Sequence, residues 1–115
     1  MQIQPITNQP NVKGKVVFEP KTTYELTKDM PRALCRKFKD VATLVSGKPY
    51  DIFVSRNAQD PRFYDIAANK TLEEAQKVKE YTVKIQSDIM LASVVDAAKD
   101  AMEMYENFIA KSIKG

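Results

Sequence analysis

The choice between strand and helix that settles this chain's architecture rests on seven residues, Glu80-Tyr81-Thr82-Val83-Lys84-Ile85-Gln86. Polar and apolar residues alternate here, and Thr82, Val83 and Ile85 are β-branched. This pattern predicts a strand with Tyr81, Val83 and Ile85 on its core-facing side. The alternative is one continuous helix, because residues 71–114 contain neither glycine nor proline. A helix of that length would be unusual in a domain this small.

Helices are predicted on both sides of this strand. Thr71 and Glu74 match a capping box, in which each side chain accepts a hydrogen bond from the other residue's amide, so a short helix should cover residues 72–78. Ser87-Asp88 supplies an N-cap for a long helix that should end near residue 112. Its apolar stripe follows helical spacing and consists of Leu91, Val95, Ala98, Met102, Tyr105, Ile109 and Ile113.

Two elements are expected near the N-terminal end of the chain. Residues 12–19 are rich in β-branched and aromatic residues and lie between two prolines, which predicts an edge strand with a bulge at Gly14. A helix should follow over residues 30–46, after an N-cap at Asp29. Its apolar side consists of Met30, Leu34, Phe38, Val41 and Val45.

Two strands near residues 50–56 and 62–68 are separated by turn-forming residues, which predicts an antiparallel hairpin. One face of the hairpin carries Tyr50, Ile52, Val54, Tyr64, Ile66 and Ala68. Together the elements predict an α+β fold: a small antiparallel sheet of three or four strands, covered on one face by two main helices, of which the C-terminal one is long and amphipathic. Residues 12–115 should form this single domain, and residues 1–11 an extended N-terminal arm.

The residue types that the chain lacks exclude many enzyme classes. The chain has no histidine and a single cysteine, Cys35, so common zinc sites and Ser-His-Asp or Cys-His catalytic groups cannot form. Its three glycines are too widely spaced for a glycine-rich phosphate-binding motif. We therefore expect no catalytic residue, no cofactor and no metal ligand, and interpret the protein as a non-enzyme.

The expected compartment is the cytoplasm. The first residues lack the basic start and apolar core of a signal peptide, and no apolar run approaches the ~20 residues that span a bilayer. A single cysteine agrees with a reducing compartment.

The first long helix carries a basic stripe. On a helical wheel Lys28, Arg32, Arg36 and Lys39 fall within about 80° of one another, opposite the apolar side, and are candidate phosphate contacts. Sequence-nonspecific nucleic-acid binding through this stripe is the alternative function. An ordinary solvated helix face explains the same pattern.

Two sheet aromatics give a weaker indication of nucleic-acid binding. Phe53 and Phe63 share the second face of the hairpin, and aromatic residues on a sheet can stack on unpaired bases. Asp51 and Asp65 lie on that same face and would repel phosphates. Burial of both phenylalanines under another element is the alternative.

The C-terminal helix is apolar over more of its circumference than one sheet face requires. Ala97, Ala101, Met104 and Phe108 widen its stripe on one flank and are the candidate partner surface. The pattern indicates a protein partner or a homo-oligomer, and so a small non-catalytic interaction or structural module of a larger bacterial or viral assembly. Coverage of the flank within the monomer, by the first helix or by residues 12–19, is the alternative.

Overall fold

The computed structural model describes residues 13–20 and 32–114 of the chain. Its elements in chain order are β1 (Val16–Phe18), α1 (Arg32–Val45), β2 (Asp51–Arg56), β3 (Phe63–Asn69), α2 (Leu72–Lys77), β4 (Thr82–Gln86), a 3₁₀ turn (Ser87–Ile89) and α3 (Met90–Lys114). The fold is α+β, as predicted. The predicted arm at residues 1–11 lies outside the described residues.

The four strands form one sheet in the order β1-β2-β3-β4. The two junctions from β2 to β4 are antiparallel, as expected, whereas β1 runs parallel to β2. The sequence had predicted an antiparallel sheet throughout. A parallel neighbour needs a crossover rather than a tight turn, and the chain between β1 and β2, which includes α1, is long enough to supply it.

Residues 82–86 form a strand, which confirms the prediction drawn from their alternation. Tyr81 and Ile85 are buried, and Val83 is half-buried against the same core. Because β4 interrupts the helical segments, the alternative of a single helix over residues 71–114 is wrong. Thr71 caps α2 by accepting a hydrogen bond from the Glu74 amide at 3.1 Å.

The main core lies between one face of the sheet and the two long helices, α1 and α3. The apolar face predicted for the hairpin is buried here, together with Leu34, Phe38, Val41 and Val45 of α1. A second, smaller cluster lies on the opposite face, where Phe53 and Ala67 pack beneath Ala75 of α2. Within residues 13–20 and 32–114, two long helices cover one side of the sheet and the short helix α2 covers part of the other.

The buried side of α3 differs from the predicted stripe. Its fully buried members are Met90, Val94, Ala97, Ala98, Ala101, Met102 and Tyr105. Leu91 is exposed, and Val95 and Ile109 are only half-buried. The buried side is shifted because α3 packs against α1 and also against β3 and β4. The residues Ser87-Asp88 form part of the 3₁₀ turn that leads into the helix.

A buried carboxylate attaches β1 to the start of β2. Asp51 is 2% exposed, and its Oδ1 accepts hydrogen bonds from the amides of Gly14 at 2.9 Å and Lys15 at 3.1 Å. Gly14 has a φ of +89°, and a Cβ there would lie 2.9 Å from Val45 O and Gly47 N. Gly14 thus precedes the strand as a left-handed residue in close backbone contact, and the predicted bulge within the strand is wrong.

Replacing Asp51 with alanine should destabilise the fold. The substitution removes the side-chain acceptor that the Gly14 and Lys15 amides share and leaves the Gly14 amide only Tyr50 O, so the free energy of unfolding should fall by about 1–3 kcal/mol. Urea denaturation followed by circular dichroism measures the loss. Asp40→Ala, which removes an exposed carboxylate from α1, is the matched control and should have little effect. Equal stability of both variants would contradict this role of Asp51.

Candidate functional site

The structure divides the predicted partner surface into a buried part and an exposed part. Ala97 and Ala101 are 5% and 0% exposed, whereas Met104 and Phe108 are 37% and 41% exposed. Both alanines therefore pack in the core of the monomer, and Ala97 also lines the groove described below, so their contact with a partner stays a prediction. Neighbouring elements cover the α3 flank as far as Ala101 but leave Met104 and Phe108 accessible.

A groove lies between β4 and the part of α3 that precedes Met104 and Phe108, from Ser93 to Asp100. It has a volume of about 300 Å³, and its apolar walls include Val83, Ile89 and Ala97. Asp96 and Asp100 line it from the solvent side of the helix. We call this the edge groove, because β4 is the last strand of the sheet. The sequence analysis missed it, since a groove between two elements has no local sequence pattern.

Large exposed hydrophobic side chains concentrate along the edge groove. Among the residues that the structure describes, four are exposed: Ile89, Leu91, Met104 and Phe108. Ile89 lines the groove. Met104 and Phe108 lie further along α3, where Phe108 packs edge-on against Tyr81 with ring centroids 5.4 Å apart. Ile89, Met104 and Phe108 together with the edge groove form what we call the edge surface.

A row of aromatic rings connects the edge surface to the core. Tyr81 packs against Tyr105 with centroids 4.8 Å apart, and Tyr105 packs against Tyr50 at 4.9 Å. Tyr50 donates a hydrogen bond to Glu106, whose carboxylate also lies 3.2 Å from Lys48 Nζ. Phe108 therefore rests on side chains that are themselves held in place.

The ionisation of this row follows from its surroundings. Burial, followed by the hydrogen bond to Glu106, raises the pKa of Tyr50 far above its ordinary value. The same hydrogen bond and the nearby Lys48 hold the pKa of Glu106 below its ordinary value of 4.5. Burial also raises the pKa of Tyr81, whose hydroxyl oxygen accepts a hydrogen bond from Asn69 at 3.0 Å. The three groups thus keep their usual charge states at neutral pH.

A second groove, of about 530 Å³, lies on the sheet face opposite the main core. Asp65, which is 8% exposed, lines it and accepts a hydrogen bond from Asn57 Nδ2 at 3.0 Å, while Lys79 Nζ lies 3.9 Å away. Phe53 is buried under α2, so it is not accessible for base stacking. Phe63 is half-buried with Lys84 Nζ 5.6 Å from its ring.

The basic stripe lies on the solvent side of α1. Arg32, Arg36 and Lys39 are exposed, and within the described part of the chain none of them has an ion-pair partner. The fourth predicted member, Lys28, lies outside the described residues. Cys35 is an exposed free thiol on the same helix.

Within residues 13–20 and 32–114, no group of three or more potential ligands is arranged to hold a metal ion. None of the helices described there combines the length and the apolar character needed to cross a membrane. A scan against protein-family models, a search of curated proteins and a search of solved structures each gave no match. The functional argument therefore rests on the surfaces described above.

The hydrogen bond between Tyr50 and Glu106 predicts a pH-dependent contribution to stability. A carboxylate whose pKa is lowered by folding stabilises the native state above its unfolded pKa and loses that contribution as the pH falls through its folded value. Glu106→Gln should therefore be less stable than the wild type at pH 7, and the difference should vanish as the pH falls below 4.5. Urea titrations between neutral and acidic pH measure it.

Glu103→Gln is the matched control, because Glu103 is exposed on the same helix. It should follow the wild-type stability curve over the same pH range. A Glu106→Gln curve that runs parallel to the wild-type curve at every pH would contradict the assignment.

Proposed function

We propose that this protein is a small non-catalytic interaction module of a larger assembly and that its edge surface binds a protein partner. The observation that carries the proposal is the exposure of three large hydrophobic side chains, Ile89, Met104 and Phe108, of which Ile89 lines the edge groove and Phe108 packs on Tyr81. Large exposed hydrophobic side chains with polar residues beside them, here Asp96 and Asp100, commonly mark a protein interface.

The chemistry of the edge surface suits a protein partner. Methionine and phenylalanine are enriched in the cores of protein interfaces, where methionine adapts to irregular neighbours. Asp96 and Asp100 supply charge at the rim, where an interface stays partly hydrated. Phe108 is held against Tyr81, so a partner would meet a side chain that is already positioned, and less conformational entropy would be lost on binding.

Binding of phosphates by α1 is the second candidate function. Arg32, Arg36 and Lys39 are exposed on one side of the helix and have no ion-pair partner within the described residues, so they are available to an anionic partner. We place this candidate second because Phe38, the one aromatic residue of α1 between Arg32 and Val45, is buried and adds no stacking to the charge contacts.

The proposal predicts the behaviour of the double variant Met104→Lys, Phe108→Glu. Both side chains are more than a third exposed, so the variant should stay folded and lose association with its partner or with a second copy. Sedimentation velocity over a wide concentration range measures self-association. Affinity capture from the native source, with wild type and variant compared side by side, measures partner binding, and circular dichroism checks the fold.

Lys99→Glu with Ala110→Lys is the matched control, because both residues are exposed on α3 and lie about 120° or more around the helix from Met104 and Phe108. It should retain every association of the wild type. The proposal fails if the Met104 and Phe108 variant unfolds, or if the wild type stays monomeric and its captured proteins do not differ from those of the variant.

The second candidate predicts affinity that depends steeply on salt. If α1 contacts phosphates, the wild type should bind duplex DNA of any sequence at low ionic strength, and each of Arg32→Ala, Arg36→Ala and Lys39→Ala should reduce the slope of log affinity against log salt by about one unit. Filter binding at several salt concentrations measures the slope. Absence of binding at the lowest salt concentration eliminates this function.

A further inference from the structure

We propose that the free edge of β4 binds an extended segment of the partner protein as an added strand. The bound segment would carry an apolar, a basic, a second basic and a second apolar residue at alternate positions, all facing α3. This inference rests on the function proposed above and specifies how the edge surface recognises its partner.

The register of the sheet shows which backbone groups of β4 are available. The Ser87 amide donates to Arg62 O at 2.9 Å, and Ile85 pairs with Tyr64. Because backbone groups alternate in direction along an antiparallel strand, those of Val83 and Ile85 point toward β3. The N–H and C=O groups of Lys84 and Gln86 therefore point away from β3, where the described residues provide no further strand.

These outward groups meet the requirement for strand addition. A segment that pairs with Lys84 and Gln86 gains main-chain hydrogen bonds, while its alternate side chains determine specificity. The amide of Thr82 is already used, since it donates to Lys79 O at 3.2 Å. The available part of the edge thus lies beside the edge groove, which Lys84 and Gln86 both line.

The side chains along α3 define the pattern that an added strand would need. The helix starts after the turn that follows β4, and Phe108 near its other end contacts Tyr81, so α3 runs back along the strand. Passing along the flank, a bound segment would meet Ile89, then the carboxylates of Asp96 and Asp100, and then Met104. The side chains met in turn are therefore apolar, acidic, acidic and apolar.

Strand and helix spacings agree over the stretch from Asp96 to Met104. Residues 96, 100 and 104 follow one another at about 6 Å along the helix axis, and alternate residues of a strand are about 6.8 Å apart. One basic residue of the segment can therefore face Asp100 and the next basic residue Asp96. Within the described residues neither carboxylate has an ion-pair partner, so both are available for such a contact.

A second copy of this chain fits the edge less well. Antiparallel pairing of two β4 strands about a twofold axis at Lys84 would place the two lysines opposite each other, and like charges in directly opposed positions are unfavourable. Such pairing would also bring the acidic residues of both α3 helices to one interface. A basic and apolar segment supplies the complementary charge instead.

The test uses the blocked peptide acetyl-Thr-Leu-Thr-Lys-Thr-Lys-Thr-Leu-Thr-amide as the probe, titrated into ¹⁵N-labelled full-length protein and followed by NMR. Its chemical-shift changes should concentrate at Lys84, Gln86, Ile89, Asp96 and Asp100. The matched peptide with glutamate in place of both lysines should bind at least about tenfold more weakly. Asp96→Lys with Asp100→Lys should reverse that preference.

The variant Lys84→Pro separates strand addition from simple surface contact. Proline at this position removes an N–H that points away from β3, so the pairing of β4 with β3 is kept. Lys84→Pro should weaken peptide binding about tenfold or more relative to Lys84→Ala, which lacks the same charge but keeps the N–H. If the proline variant does not fold, exchange of the Lys84 and Gln86 amides in the wild type replaces it, and the peptide should slow both.

Equal affinity of the proline and alanine variants for the peptide overturns the inference. Unchanged exchange rates of the Lys84 and Gln86 amides with the peptide bound also overturn it. So do chemical-shift changes that are confined to α1. A wild-type dimer that buries the β4 edge without peptide also overturns it, since a second copy would then be the occupant. The proposed function stands by itself if Lys84→Pro keeps the natural partner while the Met104 and Phe108 variant loses it. If both variants still bind the natural partner, the proposed function and the strand-addition inference are both wrong.

Discussion

Among the described strands β4 pairs with β3 alone, and the architecture around the C-terminal helix depends on this one-sided pairing. Pairing with β3 uses the groups of Val83 and Ile85 and leaves those of Lys84 and Gln86 directed outward. The same alternation turns Tyr81 and Ile85 toward the core, where α3 packs on them. One strand therefore fixes both the helix that covers the sheet and the edge that remains open beside it.

The interior determines how that edge is presented. Tyr50, Tyr105 and Tyr81 pack edge-on in sequence, and Phe108 continues the row at the surface. At the opposite end of the sheet, Asp51 attaches the short β1 strand through two backbone amides. An open strand edge is an aggregation hazard unless it is protected, and a lysine in the middle of β4 is one such protection. The edge is thus suited to a specific partner and guarded against indiscriminate pairing.

The sequence predicted those features whose signal is local. Alternation around Val83 marks a strand, and the order of turn formers and apolar runs marks the hairpin. The parallel pairing of β1 could not be read, because it depends on an amide contact between Gly14 and Asp51, which are far apart in the chain. Helical spacing placed Ala101 and Met104 on one flank, but only the position of the neighbouring elements decides that the first is buried and the second exposed. The edge groove arises from the same tertiary arrangement.

Among the described strands, β4 is paired on one side with β3 and open on the other. Amide hydrogen exchange in the free protein, resolved residue by residue by NMR, tests it most directly. The amides of Val83 and Ile85 donate toward β3 and should exchange slowly, whereas those of Lys84 and Gln86 should exchange at least about tenfold faster. Uniform protection across residues 82–86 would contradict the claim, because it would mean that this edge is already covered or that the segment is helical.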